Sequence, residues 1–328
     1  MNFSALVTNK NEAGEVISSI VQLDESQLPD GNVTVAIEWA GLNYKDGLCL
    51  TGGGGLVRNY PHVAGIDFAG VVKKSSDDRY KKGDKVVLTG WRVGEVQWGG
   101  YAQVARINAD WLVPLPKGMS TKDAMVIGTA GLTAQLAISR LIDNGLKPDQ
   151  GEVLVTGAGG GVGSIAVMLL AKMGYDVVAL SGREETKEFL KKIGAKTIML
   201  RSELAESSKR VLERERWAGV VDSAGGAMLA NILKAVKYGG GVASIGLAGG
   251  ASWDASVIPF IIRGVNMYGI DSVMQPFKAR KKAWKKLAKN FDQKAYVSMV
   301  SEVNLEELPK EAKKILKGQI MGRVIVKP

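Results

Sequence analysis

The chain has 328 residues, 46% of them hydrophobic and 23% charged, with 41 glycines, 9 prolines, one cysteine, one histidine and a formal net charge of +10. That length exceeds what one core fills, so two domains are expected, and the composition excludes a low-complexity chain. A single cysteine, Cys49, excludes an internal disulfide and suits a reducing cytoplasm. No run approaches the ~18 apolar residues that span a bilayer, and Met1–Lys10 lacks a basic region followed by an apolar stretch, so neither insertion nor export is expected.

In chain order, Val33, Val35, Ile37 and Trp39 alternate with Thr34, Ala36 and Glu38, the period of two of a half-buried strand. Ile66–Val72, Lys85–Thr89 and Tyr101–Ala105 follow as short strands, separated by turn material such as SSDD and KKGD. This first third is therefore expected to be a β-rich domain. PLPKG at 114–118 marks a break, after which short apolar runs alternate with helical patterns, the rhythm of βαβ units. Six strands are predicted there: Glu152–Thr156, Asp176–Leu180, Thr197–Leu200, Gly219–Asp222, Gly241–Ile245 and Val265–Ile270, with helices such as Glu184–Ile193 closed by Gly194. A helix near Leu305–Leu316 and a strand Arg323–Lys327 would return the tail to the first domain. The densest cationic run, KARKKAWKKLAK at 278–289, keeps Ala279, Ala283, Trp284 and Leu287 at helical spacing and reads as a solvated helix face; a seat for phosphates is the alternative.

EVLVTGAGGGVGSIAVMLLAKMG places a strand, a glycine turn and a helix in succession, the context a dinucleotide loop requires. Gly157, Gly160 and Gly163 give G-x-x-G-x-x-G, a departure from the strict fingerprint, with Gly159 and Gly161 as additional small positions. Glycine lets backbone approach a pyrophosphate, and the N-terminus of the helix beginning near Gly161 offers unpaired N–H groups. An acidic residue usually ends the second strand, about 20 residues past the loop, to hold a ribose 2′-hydroxyl. Here that position reads Ser181, Gly182, Arg183, and a hydroxyl with a cation suits a 2′-phosphate, so NADPH is the expected coenzyme. Arg201, just past the third strand, is a candidate second partner. Glu184 and Glu185 read as first-turn residues of the next helix. Cys49 and His62 cannot supply three protein ligands to a catalytic zinc, so no metal is expected, and His62 reads as structural.

On LNYKDGL at 42–48, GIDFAGVV at 65–72, GWRVGEVQWGGYA at 90–102, GTAGLTA at 128–134, VTGAGGGVGS at 155–164, ALSGR at 179–183 and YGIDSV at 268–273, the chain resembles the zinc-independent, quinone-oxidoreductase-like branch of the medium-chain dehydrogenase/reductase superfamily. Within that branch the tryptophan-flanked segment and the SGR turn narrow the resemblance to the acrylyl-coenzyme A reductase group. Gly159 departs from it, because a second alanine is common there. The resemblance implies an α/β chain: a GroES-like β-rich catalytic domain (1–122 and 292–328), a Rossmann domain with a doubly wound six-stranded parallel sheet (123–291), and coenzyme in the cleft between them.

It also implies roles by position. Asn43, Tyr44 and Asp46 would lie at the nicotinamide and substrate end, with Tyr44 as first choice for a proton donor and water as the alternative. Thr129 and Thr133 would border the pyrophosphate, Gly160, Gly161, Val162 and Gly163 would cradle it, and Ser181, Gly182, Arg183 and Arg201 would surround the 2′-phosphate. Leu247, Ile270 and Ser272 would close over the nicotinamide, and Arg323 would stand near the cleft mouth. The residues of NYKD taken alone also fit a capped helix start, with Asn43 and Asp46 satisfying backbone donors. The reaction implied is NADPH reduction of the double bond of acrylyl-CoA, by a cytoplasmic homodimer. Quinone or enal reduction is the alternative. A basic nucleic-acid-binding or structural protein is a third reading, against which stands the lack of any nucleic-acid module; neither nucleic acid nor membrane is expected as a partner.

Overall fold

The structure is a computed structural model that describes residues 2–204 and 209–328. In chain order its strands are β1 (Asn2–Lys10), β2 (Val16–Asp24), β3 (Val33–Leu42), β4 (His62–Val63), β5 (Asp67–Ser75), β6 (Lys85–Thr89), β7 (Val104–Ile107) and β8 (Leu112–Pro114). They continue with β9 (Glu152–Val155), β10 (Val177–Ser181), β11 (Thr197–Leu200), β12 (Trp217–Asp222), β13 (Val236–Ser244), β14 (Asn266–Gly269), β15 (Val300–Asn304) and β16 (Arg323–Lys327). Two compact units divide the chain: Met1–Thr129 with Ser272–Ala288 and Val300–Pro328, and Ala130–Asp271 with Lys289–Met299.

In the first unit β3 is the spine of a seven-stranded sheet ordered β15-β16-β3-β5-β6-β8. One edge of β3 is shared: β7 takes its first half (Val33↔Ile107 to Ala36↔Val104) and β16 its second (Ala40↔Val326 to Leu42↔Val324). The predicted final strand thus forms with the predicted bounds and completes the sheet antiparallel to β3. That register brings Arg323, one residue before Val324, beside Asn43, one residue after Leu42. Inward residues of β3 (Val33, Val35, Leu42) pack with Phe68, Leu88, Ile107 and Leu112 in one core. The hairpin β1–β2 was not foreseen, because only β1 is substantially buried and β2 shows mostly solvent-facing side chains.

The second unit holds a parallel sheet ordered β11-β10-β9-β12-β13-β14, with all six predicted strands present. Strand order reverses between β9 and β12, so their carboxyl ends flank the crevice where such sheets take ligands. β13 starts at Val236 rather than Gly241, because Trp217 already pairs with Val236 before a register shift in β12. The predicted helix Glu184–Ile193 is a short turn, Glu184–Thr186, followed by the helix Lys187–Lys192, and Gly194 (φ 104°) ends it as expected.

The expectation about apolar runs needs correction: Thr121–Asp143 is long and apolar enough to cross a membrane by length and composition. Most of its apolar window is buried within the protein, and its helix is broken at Gly128 (φ 52°, ψ −157°).

Candidate active site

The glycine turn of the second unit is shaped by contacts that admit no side chain. A Cβ on Gly163 would lie 2.7 Å from Ala158 Cα and strike the Gly157 carbonyl, and one on Gly157 (φ 57°) would strike Ser223 Oγ. The helix Gly161–Lys172 starts at Gly160, whose side-chain-free N-cap leaves the first-turn N–H groups open toward a ligand. Across the crevice, Thr156 Oγ1 donates to Asp222 Oδ1 (2.6 Å), Ser223 N–H donates to Thr156 Oγ1 (2.9 Å), and Gly225 N–H donates to Asp222 Oδ2 (2.9 Å). Burial pushes the Asp222 carboxyl up while these donors pull it down. This network locks the carboxyl ends of β9 and β12, and sequence reading missed it; an aspartate closing an otherwise apolar strand was the available signal.

At the end of β10, Ser181 is buried and accepts hydrogen bonds from the Arg183 N–H (3.2 Å) and the Thr186 hydroxyl (2.8 Å), closing a tight turn around Gly182. Ser181 pairs with Leu200 across the sheet, so Arg201 follows at once, and its guanidinium lies 3.4 Å from where a Cβ on Gly182 would be. The expected cationic pair, Arg183 and Arg201, therefore meets at one turn. Two nearby carboxylates are engaged by the chain itself: Glu184 pairs with Lys187 (2.6 Å) and Glu203 accepts the Leu200 N–H (2.6 Å). Leu247, exposed, follows the end of β13, and Ile270 donates its N–H to Ser244 (3.0 Å), so both stand at the same carboxyl edge. Thr133 is buried in the same unit.

In the first unit Asn43 and Asp46, two of the three residues expected at the substrate end, join a network with Arg323, which pairs with Asp67, while Tyr44 stays outside it. The break at Gly128 leaves carbonyls at one helix end and N–H groups at the next. Arg323 caps the carbonyls, donating to Val126 O (3.1 Å) and Met125 O (3.3 Å), while Asp67 Oδ2 accepts the Thr129 N–H (2.7 Å); each charge matches its helix end. Arg323 also donates to Leu42 O (3.1 Å) and Asn43 Oδ1 (3.2 Å), and pairs with Asp67 at 4.0 Å. A Cβ on Gly41 would stand 2.5 Å from Asp67 Oδ1 and one on Gly128 2.6 Å from Arg323 Nη2, so both glycines make room for the pair. Asp46 accepts from Asn43 N–H (2.9 Å), Asn43 Nδ2 (3.2 Å) and Ile66 N–H (2.8 Å). Burial, aided by the Asp67 carboxylate, pushes it up to about 7 against those three donors. Tyr44 opens the helix Tyr44–Thr51 and is exposed. Asp67 is buried at the start of β5, directly before its apolar run, and an acid at such a position is the sequence signal of a paired charge.

The sequence profile of the "Zinc-binding dehydrogenase" family matches residues 161–293, and that of the "Alcohol dehydrogenase GroES-like domain" residues 29–117. Acrylyl-CoA reductase AcuI of Ruegeria pomeroyi is 56% identical over 325 residues, covering 99% of this chain and 98% of that protein. The chain belongs to the acrylyl-CoA reductase family of medium-chain dehydrogenases/reductases. Putative quinone oxidoreductase YhfP of Bacillus subtilis is 45% identical over 326 residues, 99% of this chain and 98% of that one. Among solved structures, the yhdH oxidoreductase from Salmonella enterica in complex with NADP is similar with a TM-score of 0.96 at 49% identity, covering 99% of both chains.

The zinc in one family description finds no site here: among the described residues no three His, Cys, Asp or Glu side chains gather to hold a metal ion. Cys49 is buried, its thiol pushed up to about 12, and His62 Nε2 bonds to Gly94 O (2.9 Å). The lysine-rich run forms the helix Phe277–Asn290; of the four residues expected on its apolar face, Ala283, Trp284 and Leu287 are buried and Ala279 is half-buried. Arg280, counted with the cations, is buried too, four residues before Trp284 on the same face. Its guanidinium donates to Thr89 O (2.6 Å), Ser272 O (3.0 Å) and Val273 O (2.6 Å), 4.9 Å from the Trp91 ring centre. Ser272 thus lies in the first unit, and its neighbour Val273 accepts the N–H of Trp91 (2.9 Å), which with Arg92 is one of two non-glycine residues in left-handed conformation (φ 57° and 59°).

Proposed function

We propose that the chain reduces the carbon–carbon double bond of acrylyl-CoA with NADPH, giving propionyl-CoA. The observation that carries the substrate is the 56% identity, end to end, to a protein named acrylyl-CoA reductase. The coenzyme reading is supported by the turn at the end of β10, where Arg183 and Arg201 flank Gly182 and two nearby carboxylates, Glu184 and Glu203, already have partners. NADPH, when bound, supplies the hydride for the β-carbon, and a proton completes the α-carbon.

The chain's own part is binding, orientation and proton delivery. Gly160, Gly161, Val162 and Gly163 would hold the pyrophosphate, with Thr129 and Thr133 beside it; Ser181, Gly182, Arg183 and Arg201 would hold the 2′-phosphate; Leu247, Ile270 and Ser272 would border the nicotinamide. Tyr44 carries an exposed hydroxyl at a helix start and is the side chain assigned to donate to the developing thioester enolate. Asn43, Asp46 and Arg323 are assigned to hold that turn in place, since both Asp46 oxygens are already taken by N–H donors. A cytoplasmic homodimer agrees with the buried lone cysteine and with the family resemblance.

Reduction of quinones or small enals is the second reading, favoured by the name of the 45% identical relative. Steady-state kinetics with acrylyl-CoA, crotonyl-CoA and a quinone, each with NADPH and NADH, separate the two. A specificity constant highest for acrylyl-CoA with NADPH is expected; equal efficiency on the quinone refutes the substrate assignment.

A further inference from the structure

Gly160 carries the carbonyl that begins the helix of the glycine turn. It accepts the Ser164 N–H (3.0 Å) and the Ser164 hydroxyl (2.6 Å). A serine hydroxyl has one proton, and here it goes to Gly160. The Tyr296 hydroxyl, 2.7 Å from Ser164 Oγ, must then be the donor in that pair. Both side chains are fully buried, although Tyr296 lies far along the chain.

The same tyrosine touches the element after the other coenzyme turn. Its ring stands edge-on to Phe189, with centroids 5.7 Å apart at 75°, and tilted against Phe291 at 5.4 Å. Phe189 lies on the helix Lys187–Lys192, directly after the Ser181–Thr186 turn. Tyr296 is itself aimed by a capped turn, since Asp292 Oδ1 accepts the Ala295 N–H (3.1 Å) and Asp292 O accepts the Tyr296 N–H (3.2 Å). All of these residues belong to the second unit.

We propose that Tyr296 is a positioning residue for the coenzyme's pyrophosphate, acting through Ser164 on Gly160; the inference rests on the NADPH reading above. The Gly160 carbonyl is an acceptor at the start of a helix whose turn is read as an anion seat. Two hydrogen bonds draw it into the helix, and Tyr296 fixes the serine that makes one of them. The first-turn N–H groups are then held outward for phosphate oxygens before any ligand arrives, which lowers the ordering cost of binding.

The test is Tyr296→Phe, which keeps the ring and removes the hydroxyl. Affinities for NADPH and for adenosine 2′-monophosphate, which has no pyrophosphate, are measured beside kcat at saturating coenzyme and hydrogen exchange of residues 160–164 in the coenzyme-free protein. Loss of one buried hydrogen bond predicts that the Kd for NADPH rises about 3- to 10-fold, while 2′-monophosphate affinity and kcat move less than about 2-fold. Exchange at 160–164 should quicken. Ser164→Ala should give the same shift, and the double variant should be no worse than either alone. Unchanged NADPH affinity, equal weakening of both ligands, or additive losses overturn the proposal. If Tyr296→Phe does not fold, Ser164→Ala decides by the same criteria. A wild-type protein that fails to bind NADPH sinks the coenzyme reading instead, a result separate from the others.

Discussion

Gly159 departs from the alanine that the family resemblance leads one to expect in the loop, and the structure supplies a physical reason. A methyl there would lie 2.8 Å from Thr186 Cγ2, 3.4 Å from Thr186 Cβ and 3.5 Å from Ser181 Oγ. Carbon atoms pack at about 3.5–4.0 Å, so the first contact is an overlap. Thr186 cannot swing away, because it is fully buried and its hydroxyl bonds to Ser181 Oγ (2.8 Å) and Arg183 O (2.7 Å). Overpacking of this kind costs about 1–3 kcal/mol. Gly159→Ala should therefore lose that much stability and raise the KM for NADPH, since the strain falls on the turn that carries Arg183. Thr186→Ser removes only Cγ2, and alone it should cost about 1 kcal/mol for a lost buried methyl. Together the two changes should nearly cancel, giving a favourable coupling of about 2–4 kcal/mol. Urea unfolding of the four proteins without coenzyme measures the cycle. Losses that simply add would show that Thr186 does not set the identity of residue 159.

Three further outcomes are expected. Arg183→Ala should raise the KM for NADPH about 10- to 100-fold, the worth of one charge-assisted contact, and change that for NADH far less; Arg201→Ala should act in the same direction, and an equal effect on both coenzymes removes the 2′-phosphate assignment. Burial lowers the pKa of His62 below its ordinary 6.5, so the unfolded chain takes up the proton first: this share of stability is complete above 6.5 and is lost as pH falls from 6.5 through the lowered value. His62 is the sole histidine, so its ring signal in NMR reports the titration directly, and a midpoint at or above 6.5 contradicts the buried, Gly94-bonded geometry. Tyr44→Phe should lower kcat for acrylyl-CoA by about 10²-fold or more if the phenol delivers the proton; an unchanged kcat assigns that step to water.

What could be read from sequence was whatever repeats at short range. Strand Glu152–Val155, the glycine turn and the helix after it follow one another, so local periodicity and chemistry sufficed to find the coenzyme cradle. Arg183 was proposed from its distance to that turn and Arg201 from the expectation that the third strand neighbours the second, and the pairing of β10 with β11 bears out that strand neighbourhood. The hairpin β1–β2 escaped because its outer strand lacks alternation. Arg280 escaped because, in composition, it is one more cation in a lysine run; only its spacing with Ala283, Trp284 and Leu287 betrays burial. Tyr296 gave no local signal at all, since its partner Ser164 is brought to it by tertiary folding alone.

The same distinction explains the buried network around Arg323 and Asp67 in the first unit. Asp67 on β5 and Arg323 on β16 are fully buried, and a buried charge persists only where its partner and its hydrogen bonds arrive together. Neither Asp67 nor the helix break at Gly128 can be satisfied by the first 129 residues alone, because the guanidinium that caps Met125 and Val126 enters with the last strand. Gly41 and Gly128 follow from this, as a Cβ on either would occupy the space of the pair. Asn43 is then held between Arg323 and Asp46, and Tyr44, the next residue, inherits its position from both. The exposed tyrosine is thus fixed by charges that never meet solvent. Breaking such a pair costs about 3–5 kcal/mol, a cost the fold avoids only while β16 is docked, which couples the shape of the Tyr44 turn to completion of the sheet by the chain's final strand.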